Sequence, residues 1–431
     1  MPELSLKKQL KSLKQRKGII SKAIGDARKS GLDTPDKVEE VKVIIVEIKK
    51  IEKELKTLSN HSAPQEKLKK NTSTVIPSQF KPLLANDYTN AALKVTSQLA
   101  KEKWDFYVHN NPNATIYHTY SIREVIEKTF HHQCHYLSVI DDRQNVYAIL
   151  PLVEMRSRLF GHFLVSIPFF NYGGILSSNQ EASNILLKAA EELSQSIKSE
   201  HIEYRHCHDS YTLPSKSEKI AMLKNLPDDI EQLWSGLGTK LRAQIKKAER
   251  NSFTVKVGNI NLINDFYKVF SNNMRDLGTP VYSKALFENM LNNNETAAII
   301  MLYHQNKPVS TAFLLGWRNT LEIPWASTIK PANKLDANMK LYWEVLKFSI
   351  QKGYKIFDFG RSSKDANTYR FKKQWGAKSH ELYWHYWLPN NKPLPEINPN
   401  NPKYKIMISV WKKLPLWIAN IIGPEVVKNL P

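Results

Sequence analysis

Apolar residues recur every three or four positions through the first 59 residues, which is the spacing of one face of an α-helix. The first such run is "LSLKKQLKSLKQRKGIISKAIGDARKSG" and the second is "DKVEEVKVIIVEIKKIEKELKTL". Between them, "GLDTPD" places a glycine and a proline where a helix would be interrupted. Two helices joined by a short turn predict an antiparallel coiled-coil hairpin over residues 1–59.

The helical periodicity disappears in residues 60–80, where Ser, Pro, Asn and Lys predict a linker. Strands and amphipathic helices then follow in an order that occurs twice. "CHYLSVIDDRQNVYAILPLVEMRS" predicts two strands and "EASNILLKAAEELSQSIKSE" a helix; "AAIIMLYHQNKPVSTAFLLGWRNTLEIPWAST" and "NMKLYWEVLKFSIQKGY" repeat that order. The pattern indicates two copies of one α/β fold, at residues 81–208 and 209–388. A Pro/Asn-rich linker and an amphipathic tail occupy residues 389–431.

The charge of the chain indicates what it binds. Its 62 Lys and Arg residues exceed its 41 Asp and Glu residues by 21, which favours RNA, nucleotide-linked substrates, phosphorylated lipids or an anionic membrane surface as partners. Its two cysteines give no disulfide framework. We expect no signal peptide, because the first residues lack an apolar segment, and no transmembrane helix, because no run of about 20 apolar residues occurs. A cytoplasmic location is therefore expected.

The first predicted helix concentrates positive charge. It holds nine Lys or Arg residues against Glu3 and Asp26. One interpretation is a solvated charged face, and the other is an arm that faces RNA. In length, turn and charge the hairpin is similar to the helical arm of seryl-tRNA synthetases.

Three local motifs suggest chemistry that the rest of the chain does not support. "HHQCH" and "HCH" lie in or beside predicted strands, where neighbours point to opposite faces, so chance placement is favoured over a metal site. "DFG" at 358–360 has no accompanying kinase phosphate loop, VAIK lysine or HRD loop. "RLFGHF" approaches the phosphate-binding turn of acetyl-CoA enzymes but leads into a strand. No metal and no cofactor are predicted.

Two basic segments remain as candidate sites. "TKLRAQIKKAER" places Arg242 and Lys246 one turn apart on a predicted helix, where they either bind phosphates or form a solvated cationic face. "YKIFDFGRSSKDANTYRFKKQWGA" contains an apolar run and six basic residues among aromatic ones, and five of the basic residues follow the run. The apolar run predicts a strand that ends at Asp358 and turns at Gly360.

Several segments together resemble one family. They are "YHTYSIREVIEKTF", "AILPLVEMRSRLFGHFLVSIPFFNYGGIL", "LRAQIKKAERNSFTVKVG", "LYWEVLKFSIQKGYKIFDFGRSS" and "YRFKKQWGA". Residues 117–388 resemble Fem-type aminoacyltransferases, the peptidoglycan-bridge enzymes built on two GNAT-like domains. The likeness is greatest to the branch found with exopolysaccharide and exosortase loci, which the tail "VWKKLPLWIANIIGPEVVKNLP" also resembles.

The resemblance implies an α/β fold of tandem GNAT-like domains and the formation of an amide from an aminoacyl-tRNA and an amine. In the family, the lysine of a Phe-Lys pair is assigned to the tetrahedral oxyanion. The matching pair is Phe371-Lys372, flanked by Tyr369 and Arg370, and Lys373 offers an adjacent cation. In bridge enzymes with a coiled-coil arm, the arm is inserted in the second domain, whereas here it precedes both.

The predicted end of the "KIFDFG" strand indicates the same location for the site, because ligands bind at the carboxyl ends of strands in open α/β sheets. Asp358 either orients Arg361 or the acceptor amine, or caps the turn. Arg361 either binds phosphate or carboxylate, or forms a structural ion pair. Asn171 and Tyr172 either line the other wall of a cleft or form a turn, and Trp325 is assigned to substrate binding.

The tail mixes apolar residues with Lys412, Lys413 and Lys428. It either lies on a membrane surface, bringing the enzyme to a lipid-linked glycan at the inner leaflet, or packs on the first domain. The function predicted is acyl or aminoacyl transfer to an amine of a cell-envelope glycan or peptidoglycan precursor. The alternatives are an acyltransferase that uses acyl-CoA or acyl carrier protein, and a non-catalytic scaffold that binds RNA or a membrane.

Overall fold

The computed structural model describes residues 2–29, 34–59, 92–158, 160–364, 366–395 and 402–430. The linker predicted for residues 60–80 lies outside the described residues. The helices are α1 (Pro2–Lys29), α2 (Pro35–Ser59), α3 (Lys101–Asn110), α4 (Tyr120–Phe130), α5 (Gln180–Ser196), α6 (Ile230–Ser235), α7 (Thr239–Glu249), α8 (Ile263–Leu277), α9 (Lys284–Asn293), α10 (Lys330–Asn333), α11 (Ala337–Gln351), α12 (Asn367–Gln374), α13 (Pro402–Trp411) and α14 (Leu416–Val427). The strands are β1 (Lys94–Thr96), β2 (Cys134–Ile140), β3 (Val146–Ser157), β4 (Gly161–Ser166), β5 (Leu176–Ser177), β6 (Ile202–His206), β7 (Ser215–Lys216), β8 (Lys219–Asn225), β9 (Thr254–Gly258), β10 (Ala298–His304), β11 (Lys307–Trp317), β12 (Thr320–Thr328), β13 (Ile356–Ser363), β14 (Lys378–Glu381) and β15 (Tyr383–Trp387).

The N-terminal unit contains the two predicted helices, α1 and α2, which pack against each other. Ile44 and Ile48, four residues apart on α2, are buried. The guanidinium of Arg16 donates a hydrogen bond of 2.6 Å to the Glu40 carboxylate, which ties the two helices together. An RNA-facing role for this hairpin stays a prediction.

Within the described residues of the second unit, the strands form two sheets. The first has the order β1-β2-β3-β4-β6-β15-β7, with β5 pairing to β3, and the second has the order β14-β8-β13-β12-β11-β10-β9. In the first, the antiparallel strands β2, β3 and β4 lead through α5 to β6, which is parallel to β4. In the second, β10, β11 and β12 lead through α11 to β13, which is parallel to β12. This repeated order confirms the prediction of two copies of one α/β fold.

The two halves of this unit share a core, and the second half contributes a strand to the first sheet. Phe170 of the first half packs edge-to-face on Trp325 of the second, with ring centroids 5.9 Å apart. The Arg318 guanidinium donates to the carbonyls of Val108, His109, Asn111 and Pro112 at the end of α3. Strand β15, which follows all strands of the second sheet, pairs with β6 and β7 and so belongs to the first sheet.

The C-terminal tail forms α13 and α14, and α14 packs against α8 of the second half. Arg275 of α8 donates to the carbonyl of Leu414 at 3.0 Å, and the His132 ring of the first half is hydrogen-bonded to the carbonyl of Lys428 at 2.7 Å. The tail therefore contacts both halves. None of the described helices combines the length and the apolar character that crossing a membrane requires.

Candidate active site

The central feature of the second sheet is a parallel strand pair that separates after three residues. Strands β12 and β13 pair from Thr320 with Ile356 to Glu322 with Asp358, and their ladder ends there. Beyond this point β12 continues to Thr328 with β11 as its partner, while β13 continues to Ser363 with β8 as its partner. The two strands thus diverge at a pair of carboxyl side chains, and the gap that opens at the carboxyl ends of parallel strands is where such sheets bind ligands.

The predicted end of the strand at Asp358, with a turn at Gly360, is wrong. Strand β13 runs on to Ser363, and its pairing with β8 shifts register between Asp358 and Arg361. Gly360 has φ of +72°, a conformation that glycine adopts without steric cost. The glycine therefore makes a β-bulge rather than a turn, and a bulge redirects the side chains that follow it.

Glu322 and Asp358 are both buried and receive hydrogen bonds from the first half. The Tyr172 hydroxyl donates to Asp358 Oδ2 at 2.6 Å, and the backbone N–H of Gly360 donates to Asp358 Oδ1 at 2.7 Å. Likewise, Tyr117 donates to Glu322 Oε2 at 2.8 Å and Asn171 donates to Glu322 Oε1 at 2.9 Å. Residues predicted to form the other wall of a cleft, Asn171 and Tyr172, thus contact the second sheet directly.

Burial makes both carboxyl groups hold a proton more tightly than usual, and repulsion from Asp358 adds to this effect at Glu322. Burial, and then the nearby charge of Asp358, raise the pKa of Glu322 to about 8. Burial also raises the pKa of Asp358, although the hydrogen bonds from Tyr172 and Gly360 favour its ionised form. Two neighbouring carboxyls in a dry site cannot both ionise readily, so near neutral pH the pair holds a proton.

Lys372 brings a cation to the same place from helix α12. Its amine donates to the carbonyl of Gly360 at 3.0 Å and to that of Arg361 at 2.8 Å, so the β-bulge fixes its position. The lysine is 8% exposed. Burial lowers its pKa to about 8, and the opposing attraction of Asp358 and Glu322 keeps it from falling further. An ammonium group has three N–H donors, so two carbonyls leave one N–H for another acceptor.

The other predicted residues of α12 lie away from this centre. Phe371 packs edge-to-face on Tyr342, with ring centroids 4.9 Å apart, in the core of the second sheet. Arg370 is exposed, as is Lys373, whose amine lies 5.6 Å from the centroid of the Tyr369 ring. Of the two adjacent lysines, it is Lys372 that lies beside the carboxyl pair.

The remaining predicted residues are distributed between a second helix and the core. Among the described residues, no hydrogen bond or ion pair joins Arg242 or Lys246 of α7 to the carboxyl pair, and Lys246 lies 5.9 Å from the centroid of the Trp234 ring. Trp325 packs against four aromatic rings in the shared core: Phe170, Tyr282, Phe287 and Phe313.

Sequence reasoning missed Glu322 and Tyr117. Glu322 stands between Leu321 and Ile323, in the apolar run "LEIPW". A single carboxylate within a buried strand is uncommon, because burying its charge is costly without partners. That unusual position was the available signal, but its partners come from the other half of the chain, which the local pattern does not reveal.

Residues 238–373 match the family model described as an acetyltransferase (GNAT) domain. The stretch includes Glu322, Asp358, Arg361 and Lys372. The crystal structure of FemX superposes with a TM-score of 0.53 at 13% sequence identity, covering 73% of this chain and 100% of that chain. The chain has a tandem GNAT-like fold. Its carboxyl pair and Lys372 lie within the second GNAT-like half.

Two further solved structures are similar to a weaker degree. The C-terminal domain of a putative lysylphosphatidylglycerol synthetase from Agrobacterium fabrum has a TM-score of 0.48 at 11% identity, covering 68% of this chain and 92% of that chain. L-PGS from Bacillus licheniformis has a TM-score of 0.47 at 12% identity, covering 72% and 96%. No curated protein matches the sequence.

Proposed function

We propose that the protein transfers an acyl or aminoacyl group from an activated ester to an amine, forming an amide. The observation that carries this proposal is the Lys372 amine, fixed by two backbone carbonyls beside a buried carboxyl pair at the point where two parallel strands diverge. A tandem GNAT-like fold is consistent with acyl transfer, but fold alone does not assign chemistry, so the residues of this centre carry the argument.

In the proposed reaction, the nitrogen of the acceptor amine attacks the acyl carbonyl carbon of the donor. The N–C bond forms and the carbonyl oxygen becomes an oxyanion, towards which the third N–H of Lys372 donates. Removing the proton of the attacking amine is the task of the carboxyl pair, with Asp358 in its ionised form. The oxyanion then collapses, the ester C–O bond breaks, and the leaving alcohol takes up the proton. Preorganised donors at the oxyanion are among the largest contributions to such reactions.

The entrance to α11 favours a tRNA ester over a CoA thioester as the donor. Enzymes that bind a pyrophosphate at this kind of strand–helix connection use free backbone N–H groups at the helix N-terminus. Here Asp336 precedes the first residue of α11, with φ of +52°, and its carboxylate pairs with Lys247 at 2.7 Å. Lys247 offsets part of this charge, but a carboxylate at this position still opposes a pyrophosphate more than an uncharged residue would. The net charge of +21 suits a polyanionic donor.

A comparison of two acyl donors tests the proposal. The full chain is incubated with an amine acceptor and, in separate reactions, with aminoacyl-tRNA or acyl-CoA labelled in the acyl group. We expect label to appear in an amide with aminoacyl-tRNA and not with acyl-CoA. Transfer from acyl-CoA alone would support the alternative acyltransferase, which the match to an acetyltransferase family model favours. Binding of tRNA with no transfer, unchanged in Lys372→Ala, would instead support a scaffold.

We also propose that the acceptor is an amine on a cell-envelope glycan or peptidoglycan precursor, reached at the inner face of the membrane. The support is the resemblance to the Fem-type branch found with exopolysaccharide loci, together with the surface of the tail. Helices α13 and α14 expose Met407, Val410, Trp417 and Ile421 beside the exposed lysines 412 and 413. Apolar side chains next to lysines suit the interface of an anionic bilayer.

Vesicle binding measures the role of the tail. Replacing Trp417 and Ile421 with serine should weaken co-sedimentation with vesicles containing phosphatidylglycerol by roughly tenfold or more, because each buries apolar area in the interface. Trp417 is 66% exposed and Ile421 is 65% exposed, so the fold should tolerate both changes. Phe106→Ser is the matched control, since Phe106 is 73% exposed on α3. If the wild type, the Trp417→Ser/Ile421→Ser double variant and the Phe106→Ser variant bind vesicles equally, the tail has no part in membrane binding.

A further inference from the structure

The indole ring of Trp384 is contacted by a guanidinium from each half of the protein. Arg205 of β6 lies opposite Trp384 of β15 in the antiparallel ladder, and its guanidinium carbon is 4.4 Å from the centroid of the indole ring. Arg361 of β13, in the other sheet, has its guanidinium carbon 5.2 Å from the same centroid. A ring face attracts one cation, but two like charges at one ring repel each other unless an anion lies nearby.

The hydrogen bonds of this cluster leave several donors unpaired. The Arg205 side chain is fully buried; its Nε donates to Glu203 at 2.8 Å and its Nη1 to the carbonyl of Phe170 at 2.6 Å. Its Nη2 is buried without an acceptor, and so is Nε1 of the Trp384 indole. Among the described residues, the Arg361 guanidinium makes no hydrogen bond and no ion pair. Each of these groups can only donate, and a buried donor left unpaired, as at Arg205 Nη2 and Trp384 Nε1, is costly.

The local charges also leave an excess of positive charge. Glu203 is the carboxylate that pairs with Arg205, and it also accepts a hydrogen bond from Tyr386 at 2.8 Å. Burial and the neighbouring charge of Arg205 lower the pKa of Arg361, and burial and Arg361 in turn lower the pKa of Lys219. One carboxylate, Glu203, thus faces two guanidinium groups, whereas Lys219 has Glu218 as a nearby anion. Buried cations with unpaired donors are satisfied by an anion.

This cluster adjoins the proposed reaction centre. The backbone carbonyl of Arg361 accepts the hydrogen bond from Lys372 at 2.8 Å. The main chain of Arg361 therefore belongs to the reaction centre, and its side chain belongs to the cluster at Trp384. The same bulge at Gly360 positions Lys372 and directs Arg361 toward Trp384. A group bound by the Arg361 side chain would be held by the residue whose carbonyl also holds the amine that we assign to the oxyanion.

We propose that Arg205, Arg361 and the Trp384 indole N–H form a binding site for an oxyanion group, a carboxylate or a phosphate, of one of the substrates. Guanidinium forks suit either group, because both present two oxygens to two parallel N–H donors. The position of this site relative to the reaction rests on the proposed function. The binding of an anion is independent of that function, and it can be measured in the absence of acyl transfer.

Titration calorimetry of the full chain tests the site, with inorganic phosphate, pyrophosphate and acetate as separate probes in chloride-free buffer at constant ionic strength. We expect one class of anion to bind, and Arg361→Gln to weaken its affinity roughly tenfold to a hundredfold, the loss typical of a hydrogen bond to a charged group. Arg156→Gln is the control, since it removes the same charge from a side chain that is 70% exposed. Tighter binding of the phosphates assigns a phosphate-bearing substrate, and tighter binding of acetate assigns a carboxylate.

A second measurement does not depend on replacing a buried arginine. The indole N–H resonance of Trp384, assigned from its loss in Trp384→Phe, should shift as the anion is added. Equal affinities in Arg361→Gln and Arg156→Gln, or an indole resonance that does not move at saturation, would overturn the site. If no donor supports transfer but the anion still binds at Trp384, the proposed reaction fails and the anion site stands. If transfer occurs but no anion binds at Trp384, the anion site fails and the proposed reaction stands.

Discussion

Replacing Lys372 with alanine should reduce the rate of transfer by about a hundredfold to a thousandfold, the usual cost of removing one donor to an oxyanion. The loss should appear in kcat, because the interaction forms as the carbonyl oxygen gains charge. The fold should persist, because the lysine amine contacts two backbone carbonyls rather than the apolar core. Steady-state kinetics with the donor that supports transfer in the experiment above, alongside circular dichroism, make the comparison.

The neighbouring lysine provides the control for Lys372→Ala. Lys373 is exposed and lies over the Tyr369 ring, so Lys373→Ala removes the same charge from the same helix without touching the bulge. It should retain nearly all activity. If both variants lose activity equally, general electrostatic attraction of the substrate explains the effect. If Lys372→Ala remains active, the role assigned to its amine is wrong.

Replacing Glu322 with glutamine should make the stability of the protein less dependent on pH. In the folded protein the pKa of Glu322 is raised to about 8 from its ordinary value of 4.5. The folded state therefore keeps a proton that the unfolded chain releases. The contribution of this protonated carboxyl to the free energy of unfolding is fully present below pH 4.5. It declines by about 1.4 kcal/mol per pH unit as pH rises, and it is lost once pH passes 8. Glutamine cannot ionise, so this part of the slope should disappear.

Urea unfolding between pH 5 and 8.5 measures this difference. The amide of glutamine preserves the shape of the carboxyl, and the Tyr117 hydroxyl can either donate to it or accept from it. Asp358 should then ionise more readily, since its neighbour no longer competes for charge. Glu102→Gln, an exposed position on α3, is the control and should follow the wild-type curve. An unchanged slope in Glu322→Gln would show that Glu322 is not the group that holds the proton.

The local pattern of the sequence predicted most elements of the body but not how they pair. The helices α5 and α11 carry regular apolar faces, and the strands β2, β3 and β10–β12 are apolar runs between polar turns, so periodicity located them. Helix α12 was missed, because its eight residues "NTYRFKKQ" are mostly polar and lack a wide apolar face. Strand β13 was ended too early, because a glycine within a strand indicates a turn as readily as a bulge.

The candidate site was predicted only where its residues are close together in the sequence. The segment that contains Asp358, Arg361 and Lys372 is continuous in sequence, so one motif located all three. Glu322, Tyr117, Arg205 and Trp384 reach the same region from four other segments. Their proximity depends on long-range strand pairing and on packing between the halves, which single-sequence patterns do not encode.

The placement of β15 has a consequence for how the chain folds during synthesis. Among the described strands, β7 pairs with β15, and one edge of β6 is covered by β15. Until residues 383–387 have left the ribosome, the first half carries an open strand edge next to Arg205, and such edges invite pairing with other chains. The first half is therefore completed after the second has been made. Among the described strands, the last to emerge closes the first sheet and delivers Trp384, so the proposed anion site is assembled only after the strands of both sheets have been made.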